Sequence, residues 1–376
     1  MGDLLLVTGD SSSDRYAARL IEFLNENGFE GRIHAAAGPE SEKAGANLVE
    51  NLVDRSVVGL TEVFGSLPFF FSLMGRLDSL LDEKPIDGVV LMDFPGFNMR
   101  FARRVRKRGI PLFYYITPQV WAWGSGRIEK LRDWFTKLFV IFPFEEELFR
   151  KAGAEAEFVG HPLYEELKET STRDLHEYLD LQPDREIVSF FPGSRDHEIE
   201  RHLVPMGETA LRLKRESESI EPMISAAPTV NQNRFRDLLT DEMMEVLSVW
   251  NGTAYELLQS STLSILASGT VTMEAAFAKN PMIVGYRTSW LTYWIGSMLV
   301  DTDQYAMPNL ILPELNVPEL IQYDFTAENL HKTARTFLAN RGVRDRQREK
   351  LERLENIFES RSPEEVVGRD LLAYLY

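Results

Sequence analysis

An acidic side chain follows an apolar run in the first half of this 376-residue sequence. Asp93 comes directly after the apolar residues 88–92 and precedes Phe94 and Pro95. The end of a strand in an open α/β sheet presents side chains to ligands, and a carboxylate there could accept the proton of a sugar hydroxyl. An ordinary N-cap or loop acid is the alternative interpretation, and this motif alone does not decide between the two.

The segment Ser268–Glu274 predicts an anion site at the start of a helix, because it joins an apolar strand to a helical pattern. Glu274 lies one turn into that helix and could bind ribose hydroxyls, although an early acid also stabilises the helix dipole. Residues 191–195 follow another apolar strand. Gly193 would let the backbone approach a ligand there, and Arg195 could neutralise a diphosphate.

Two loops in the first half have polar or aromatic composition at predicted strand ends. The first strand leads into Gly9–Asp14, which could bind an anion, while capping by Ser13 or Asp14 explains it equally well. Thr117–Trp123, followed by Arg127, offers aromatic faces for a sugar, although paired tryptophans more often belong to a core.

The composition excludes several classes of protein. A chain of 376 residues with 44% hydrophobic residues is globular and long enough for two domains, and zero cysteines exclude disulfides, cysteine nucleophiles and thiolate metal sites. A formal charge of −17 argues against nucleic acid as a partner. The N-terminus lacks the pattern of a signal peptide, and no apolar run approaches the roughly 20 residues that span a bilayer. The absence of cysteine fits the cytoplasmic location that we expect.

Neither a metal nor an organic cofactor is expected. The G-x-G-x-x-G pattern of nicotinamide and flavin sites is missing, and the histidines lack metal-ligand spacing. Asp301 and Asp303 resemble the paired acids of metal-dependent sugar transferases, but they follow a helix rather than a strand. His161, before Pro162, is interpreted as part of a hinge or as a polar residue with its hydrogen bonds satisfied, rather than as a catalytic base.

A basic and aromatic region has two interpretations. Arg100–Arg108 contains Arg103, Arg104 and further cations without an acid, and Phe69, Phe70 and Phe71 are consecutive just upstream. One interpretation is a core helix beside a basic face that is exposed to solvent. The other, which explains the pattern equally well, is an interfacial patch that contacts a membrane or a lipid substrate.

Short apolar runs alternate with helical patterns, which predicts parallel sheets covered by helices. We predict strands at 4–8, 32–36, 88–93, 112–116, 138–142, 157–159, 187–191, 223–226, 246–249, 263–266 and 282–286. We predict helices at 14–27, 98–108, 126–133, 145–152, 197–215, 234–244, 253–260, 270–279 and 290–299, and a helical tail from 327. The fold class is therefore α/β, with two doubly wound Rossmann-like domains at 1–165 and 166–345 and C-terminal helices at 346–376.

In this order, the segments resemble the lipid-A-disaccharide synthases, inverting glycosyltransferases of the GT-B architecture. The matching blocks cover nearly the whole chain: Asp93–Asn98, YYITPQVWAWGSGRIEKL from Tyr114, FPFEEELF from Phe142, FVGHPL from Phe158, FPGSR from Phe191, ASGTVTMEAAFAKNPMIVGYR from Ala267, MPNLIL from Met307 and PELIQ from Pro318 to Gln322. Each block is weak alone, whereas the ordered set is specific.

The resemblance implies a UDP-2,3-diacylglucosamine donor, a 2,3-diacylglucosamine 1-phosphate acceptor and no metal. It implies that Asp93 is the general base, with Asp10 and Arg195 also catalytic. The residues implied to hold the donor or substrate are Ser194, Ser268, Gly269, Thr270, Glu274, Asn309 and Gln322. It further implies peripheral contact with the cytoplasmic face of the inner membrane, through Phe69–Phe71, Arg103 and Arg104. Dimers with exchanged C-terminal portions occur in the family, so the tail is expected to cross to another domain or subunit.

Three positions depart from the family pattern. Asp10 stands where the family's first loop has glutamate, Ser13 replaces its second glycine, and Gly96 replaces a second acid in the Asp93 motif. A related GT-B transferase with another acceptor, or a silent nucleotide-sugar-binding homologue, therefore remains an alternative at this stage.

Overall fold

A computed structural model describes residues 2–53, 63–121, 125–226, 230, 233–287 and 304–376. The chain divides into two compact units, one formed by residues 1–162 with 360–376 and the other by residues 163–359. The predicted helix at 290–299, the acid pair Asp301 and Asp303, and Trp123 lie outside the described residues.

The first unit is built on a seven-stranded parallel sheet in the order β3-β2-β1-β4-β5-β6-β7. Its strands are β1 Asp3–Val7, β2 Ile33–Ala37, β3 Asn47–Asn51, β4 Ile86–Met92, β5 Leu112–Tyr115, β6 Lys137–Val140 and β7 Ala156–Phe158. Its helices are α1 Ser11–Glu26, α2 Pro39–Lys43, α3 Val63–Glu83, α4 Pro95–Lys107, α5 Ile128–Trp134, α6 Pro143–Lys151 and, at the end of the chain, α17 Pro363–Leu375.

The second unit contains a six-stranded parallel sheet in the order β10-β9-β8-β11-β12-β13. Its strands are β8 Glu186–Phe191, β9 Ile220–Ser225, β10 Ser248–Trp250, β11 Leu263–Ala267, β12 Met282–Tyr286 and β13 Glu319–Ile321. Its helices include α7 Pro162–Glu169, α8 Leu175–Tyr178, α9 Asp196–Glu216, α10 Asn233–Leu238, α11 Asp241–Val246, α12 Ala254–Ser260, α13 Val271–Phe277, α14 Met307–Ile311, α15 Ala327–Ala339 and α16 Arg341–Glu359.

Buried apolar strands explain why the sequence folds into these sheets. β1 (DLLLV) is buried at every position, and Leu5 pairs with Val89 of β4. In the second unit Phe190 of β8 pairs with Ile265 of β11, and both side chains are fully buried. Strands that are covered on both faces have continuous apolar sequences, which is why the alternation of strands and helices could be recognised from the sequence.

Two strands of the sheets were not predicted from the sequence, and one predicted helix is interrupted. β3 (NLVEN) and β13 (ELI) are edge strands with only partly buried side chains, so neither has an apolar run. The helix predicted at 234–244 is two helices, because Thr240 caps α11 and interrupts the helical path. No helix in the described part of the chain is long and apolar enough to cross a membrane.

Candidate active site

The first unit brings Asp10 and Asp93 together at the carboxyl ends of neighbouring strands. Asp10 follows β1 and Asp93 follows β4, which pair in parallel. The chain adds β2 and β3 on one side of β1 and β4 to β7 on the other. Ligands of open α/β sheets bind at such a reversal of strand order, because the loops diverge there and leave a crevice.

The carboxyl group of Asp93 is perturbed by burial and by its neighbour Asp10. Burial first, and then the negative charge of Asp10 and a hydrogen bond with it, together raise the pKa of Asp93 to about 6, against a lowering contribution from the Phe94 backbone. Two adjacent carboxylates do not ionise equally easily, so one proton is retained to a higher pH. Asp93 can therefore change protonation state close to neutral pH, as a general base must.

Asp10 is held in place by the start of α1. Its Oδ1 accepts hydrogen bonds from the Ser13 backbone N–H and from the Ser13 hydroxyl, each at 2.7 Å, and it is the N-cap of the helix. The Thr8 hydroxyl donates in turn to Ser13 Oγ. These hydrogen bonds fix the Asp10 carboxylate at the start of α1, beside Asp93.

The second unit contains a cavity of about 630 Å³ at the carboxyl ends of four strands. It lies at the reversal of strand order between β8 and β11, within the size range of small-molecule sites. Six of the predicted donor residues line it: Ser194, Arg195, Ser268, Gly269, Thr270 and Glu274.

Glu198, which the sequence analysis did not single out, organises the loop around Arg195. Its carboxylate accepts the backbone N–H of Ser194 at 3.0 Å and pairs with the Arg195 guanidinium at 3.2 Å. Gly193 has φ +112°, and a Cβ there would collide with Glu198. Glu198 is the third residue of α9, the position at which a capping box has its glutamate, and this position was the available sequence signal. The Arg195 side chain nevertheless remains 62% exposed.

The Glu274 carboxyl group changes its protonation state close to neutral pH. Burial raises its pKa to about 7, and the negative charge of Glu166 contributes in the same direction. A buried carboxyl group that faces a polar cavity is suited to bind hydroxyl groups, because either form can make hydrogen bonds to them.

Asn309 and Gln322 are not among the residues that line this cavity. The Asn309 amide donates to Glu319 Oε1 at 2.6 Å and to the Val317 carbonyl, and its Oδ1 accepts the Val317 N–H. Glu319 also accepts the backbone N–H of Tyr305 at 2.7 Å. The Tyr305 carbonyl accepts the Ser268 hydroxyl at 3.1 Å. The Asn309–Glu319 pair is therefore connected to the cavity through Ser268.

The predicted aromatic and basic surface lies on α3 and α4. Phe71 is 73% exposed, whereas Phe69 and Phe70 are half-buried. The Phe70 ring lies 5.9 Å from that of Phe94, the residue after Asp93. Arg103 is exposed. Arg104 forms an ion pair with Asp78 of α3, so its charge is partly balanced.

No group of three or more potential metal-binding side chains occurs among the residues whose placement is described. His161 is buried, and burial lowers its pKa to about 3, so it stays neutral. Trp121, from the predicted sugar-facing loop, donates its indole N–H to Glu145 at 3.1 Å, which ties the loop to the start of α6.

Comparison with solved structures identifies the fold. A UDP-GlcNAc 2-epimerase from Neisseria meningitidis bound to UDP-GlcNAc covers 99% of this chain and 100% of its own, with TM-score 0.67 and 13% identity. A UDP complex of S. aureus MnaA gives TM-score 0.68 at 10% identity, covering 100% and 97% of the two chains. The glycotransferase of kitacinnamycin gives 0.66 at 13% identity, with 100% and 99% covered. The fold is GT-B.

Comparison with known sequences gives the family. A lipid-A-disaccharide synthase from Syntrophus aciditrophicus is 34% identical over 355 residues, which is 94% of this chain and 92% of the relative. The corresponding enzyme of Myxococcus xanthus is 31% identical, with 88% and 87% covered. The pattern of the lipid-A-disaccharide synthetase family matches residues 4–368. The chain therefore belongs to the lipid-A-disaccharide synthetase family.

Proposed function

We propose that this protein transfers 2,3-diacylglucosamine from UDP-2,3-diacylglucosamine to 2,3-diacylglucosamine 1-phosphate, forming a β-1′,6-linked disaccharide 1-phosphate and UDP. Family membership over residues 4–368 supports the reaction class. The observation that carries the mechanism is the partly buried Asp93 carboxyl group beside Asp10, whose pKa of about 6 fits a base acting at neutral pH.

In this mechanism the first unit activates the acceptor. The ionised Asp93 carboxylate takes the proton of the acceptor 6-hydroxyl while that oxygen attacks the anomeric carbon of the donor. The bond from this carbon to the diphosphate oxygen breaks, and UDP leaves with the electron pair. Attack from the face opposite the leaving group inverts the configuration and gives the β linkage.

The second unit holds the donor and stabilises the leaving group. Arg195 lies at the cavity with an exposed guanidinium that can bind two diphosphate oxygens at once. Glu274 binds the ribose hydroxyls, with Ser268, Gly269 and Thr270 around them. Asn309 does not line the cavity, and we assign it to this site because it is connected to the cavity through Glu319 and Tyr305. We assign Gln322 to the site because it belongs to the same segment as Glu319.

The test is an assay with purified protein and both diacyl sugars. We expect UDP release together with a disaccharide 1-phosphate of the expected mass. A screen of other sugar acceptors, with UDP release as the signal, separates this function from that of a related transferase, since Asp10, Ser13 and Gly96 depart from the family pattern. UDP binding by calorimetry without turnover on any acceptor would instead identify a silent nucleotide-sugar-binding protein.

Replacing Asp10 should change the pH dependence of the reaction. Asp93 must be ionised to accept a proton, so kcat/KM falls as the pH drops through its pKa of about 6. In Asp10→Asn the neighbouring negative charge is absent, the pKa of Asp93 falls, and the acid limb moves to lower pH. A pH profile of kcat/KM for both proteins tests this, and an unchanged or upward-shifted limb contradicts it.

We propose that the protein is cytoplasmic and associates peripherally with the inner membrane through α3 and α4. Phe71→Ser should weaken binding to vesicles of anionic phospholipid by roughly 10-fold, because burial of an exposed phenyl ring in the interface is lost. The control is Tyr323→Ser, which removes an aromatic ring that is 81% exposed on the second unit. Equal losses in the two variants in a sedimentation assay argue against this surface.

A further inference from the structure

The backbone that carries Asp93 has an unfavourable conformation. Asp93 and Phe94 have φ of 45° and 50°, so two consecutive non-glycine residues are left-handed between β4 and α4. This region is unfavourable for an L-residue because its Cβ crowds the backbone, and a bulky residue such as Phe seldom adopts it. Such a turn persists only where the surroundings hold it, and it occurs preferentially at functional sites.

Asn98, in the first turn of α4, is the principal group that holds this turn. Its side chain is fully buried, and its amide nitrogen lies 2.8 Å from the Asp93 carbonyl oxygen and 3.1 Å from that of Met92. The Val7 carbonyl of β1 lies 3.4 Å from the same nitrogen. One amide therefore connects the ends of β1 and β4, the two strands that lead to Asp10 and Asp93.

Tyr114 of β5 supplies a second donor to the same carbonyl. Its hydroxyl donates to the Asp93 carbonyl oxygen at 2.7 Å, and the ring is fully buried. The Asp93 N–H donates to the Tyr115 carbonyl at 3.2 Å. Both backbone polar groups of Asp93 are therefore bonded to neighbouring elements, and its carboxylate is directed to Asp10.

We propose that Asn98 and Tyr114 are positioning residues, which hold Asp93 in its left-handed conformation so that its carboxylate meets both Asp10 and the acceptor hydroxyl. This inference rests on the proposed function, because it assigns these two side chains to the orientation of its base. Neither touches the reacting atoms. Their effect is geometric, since small displacements of a base lower the rate of proton transfer strongly.

The decisive variant is Tyr114→Phe, which removes one hydroxyl and keeps the ring. We expect kcat to fall about 10-fold, because one hydrogen bond to the turn is lost, while the KM values for donor and acceptor stay within about twofold.

Asn98→Ala removes the shared donor, and we expect a fall of about 100-fold in kcat. The acid limb of kcat/KM should move to lower pH in both variants, because Asp93 leaves Asp10. Tyr114, whose hydroxyl lies 2.7 Å from the Asp93 carbonyl oxygen, is a further titratable group beside this turn, and the charge of Arg127 acts on Tyr114.

Tyr115→Phe is the matched control. Tyr115 is buried in the same strand, and alternation along the strand directs its side chain to the other face of the sheet. The Tyr115→Phe variant loses a buried hydroxyl without affecting the Asp93 carbonyl, so its kcat should stay within about twofold of the wild-type value. Equal losses in Tyr115→Phe and Tyr114→Phe, or an unchanged kcat and pH limb in Tyr114→Phe, overturn the proposal.

A crystal structure of Asn98→Ala provides a measurement that does not depend on turnover. We expect residues 93 and 94 to leave the left-handed region, and a retained left-handed turn overturns the inference. If the wild-type protein releases no UDP from any donor and acceptor pair, the proposed function fails. The backbone of the variant still decides whether Asn98 holds the turn.

Discussion

We expect Asp93→Asn to lower kcat by about 10²–10⁴-fold, the largest effect of any single replacement in the first unit. The amide has nearly the shape of the carboxyl group but cannot accept the proton of the attacking hydroxyl. Because the backbone hydrogen bonds of Asp93 do not involve its side chain, the turn itself should survive the change. UDP affinity should stay unchanged, since the donor cavity lies in the second unit.

The control for this variant is Asp87→Asn. Asp87 lies near the amino end of the same strand, β4, where its carboxylate accepts the Gly2 N–H at 2.7 Å. Asp87→Asn is the same chemical change as Asp93→Asn, but it lies away from the carboxyl edge of the sheet, so kcat should stay near the wild-type value. Near-normal turnover of Asp93→Asn with the diacyl sugars would reject the role of Asp93 as general base.

The second large effect is expected for Arg195→Ala, which should lower kcat by about 10²–10³-fold. Negative charge develops on the diphosphate as the bond to the sugar breaks, and a guanidinium placed there stabilises the transition state more than the ground state. The loss should leave Glu198 in the cavity wall without its cationic partner. Repulsion between Glu198 and the diphosphate should then weaken UDP binding as well.

Arg212→Ala is the comparison for Arg195. Arg212 lies on the same helix, α9, and pairs with Glu208 at 3.8 Å, but it is absent from the cavity wall. Steady-state kinetics and calorimetry with UDP should show no change in this control. If Arg195→Ala retains both its turnover and its affinity for UDP, the diphosphate is not bound by Arg195.

Much of the fold could be predicted from the sequence because it depends on local pattern. The buried strands are continuous apolar runs, and β11 and β12 were predicted within one residue of their observed ends. The predicted position of Asp93 after a strand and the donor segment Ser268–Glu274 likewise depend on neighbours in the chain. The strands β3 and β13 escaped prediction because their side chains are only partly buried, so neither strand needs a long apolar run.

The sequence by itself therefore determined the alternation of strands and helices, the family pattern and the chemical types at the strand ends. Only the tertiary structure decided which of these side chains meet. It placed Asp10 beside Asp93, far apart in sequence, and connected Asn309 to Ser268 through Glu319 and Tyr305. The physical reason is that local periodicity encodes an element, whereas a pKa or a shared hydrogen bond depends on strand order and on burial by distant segments.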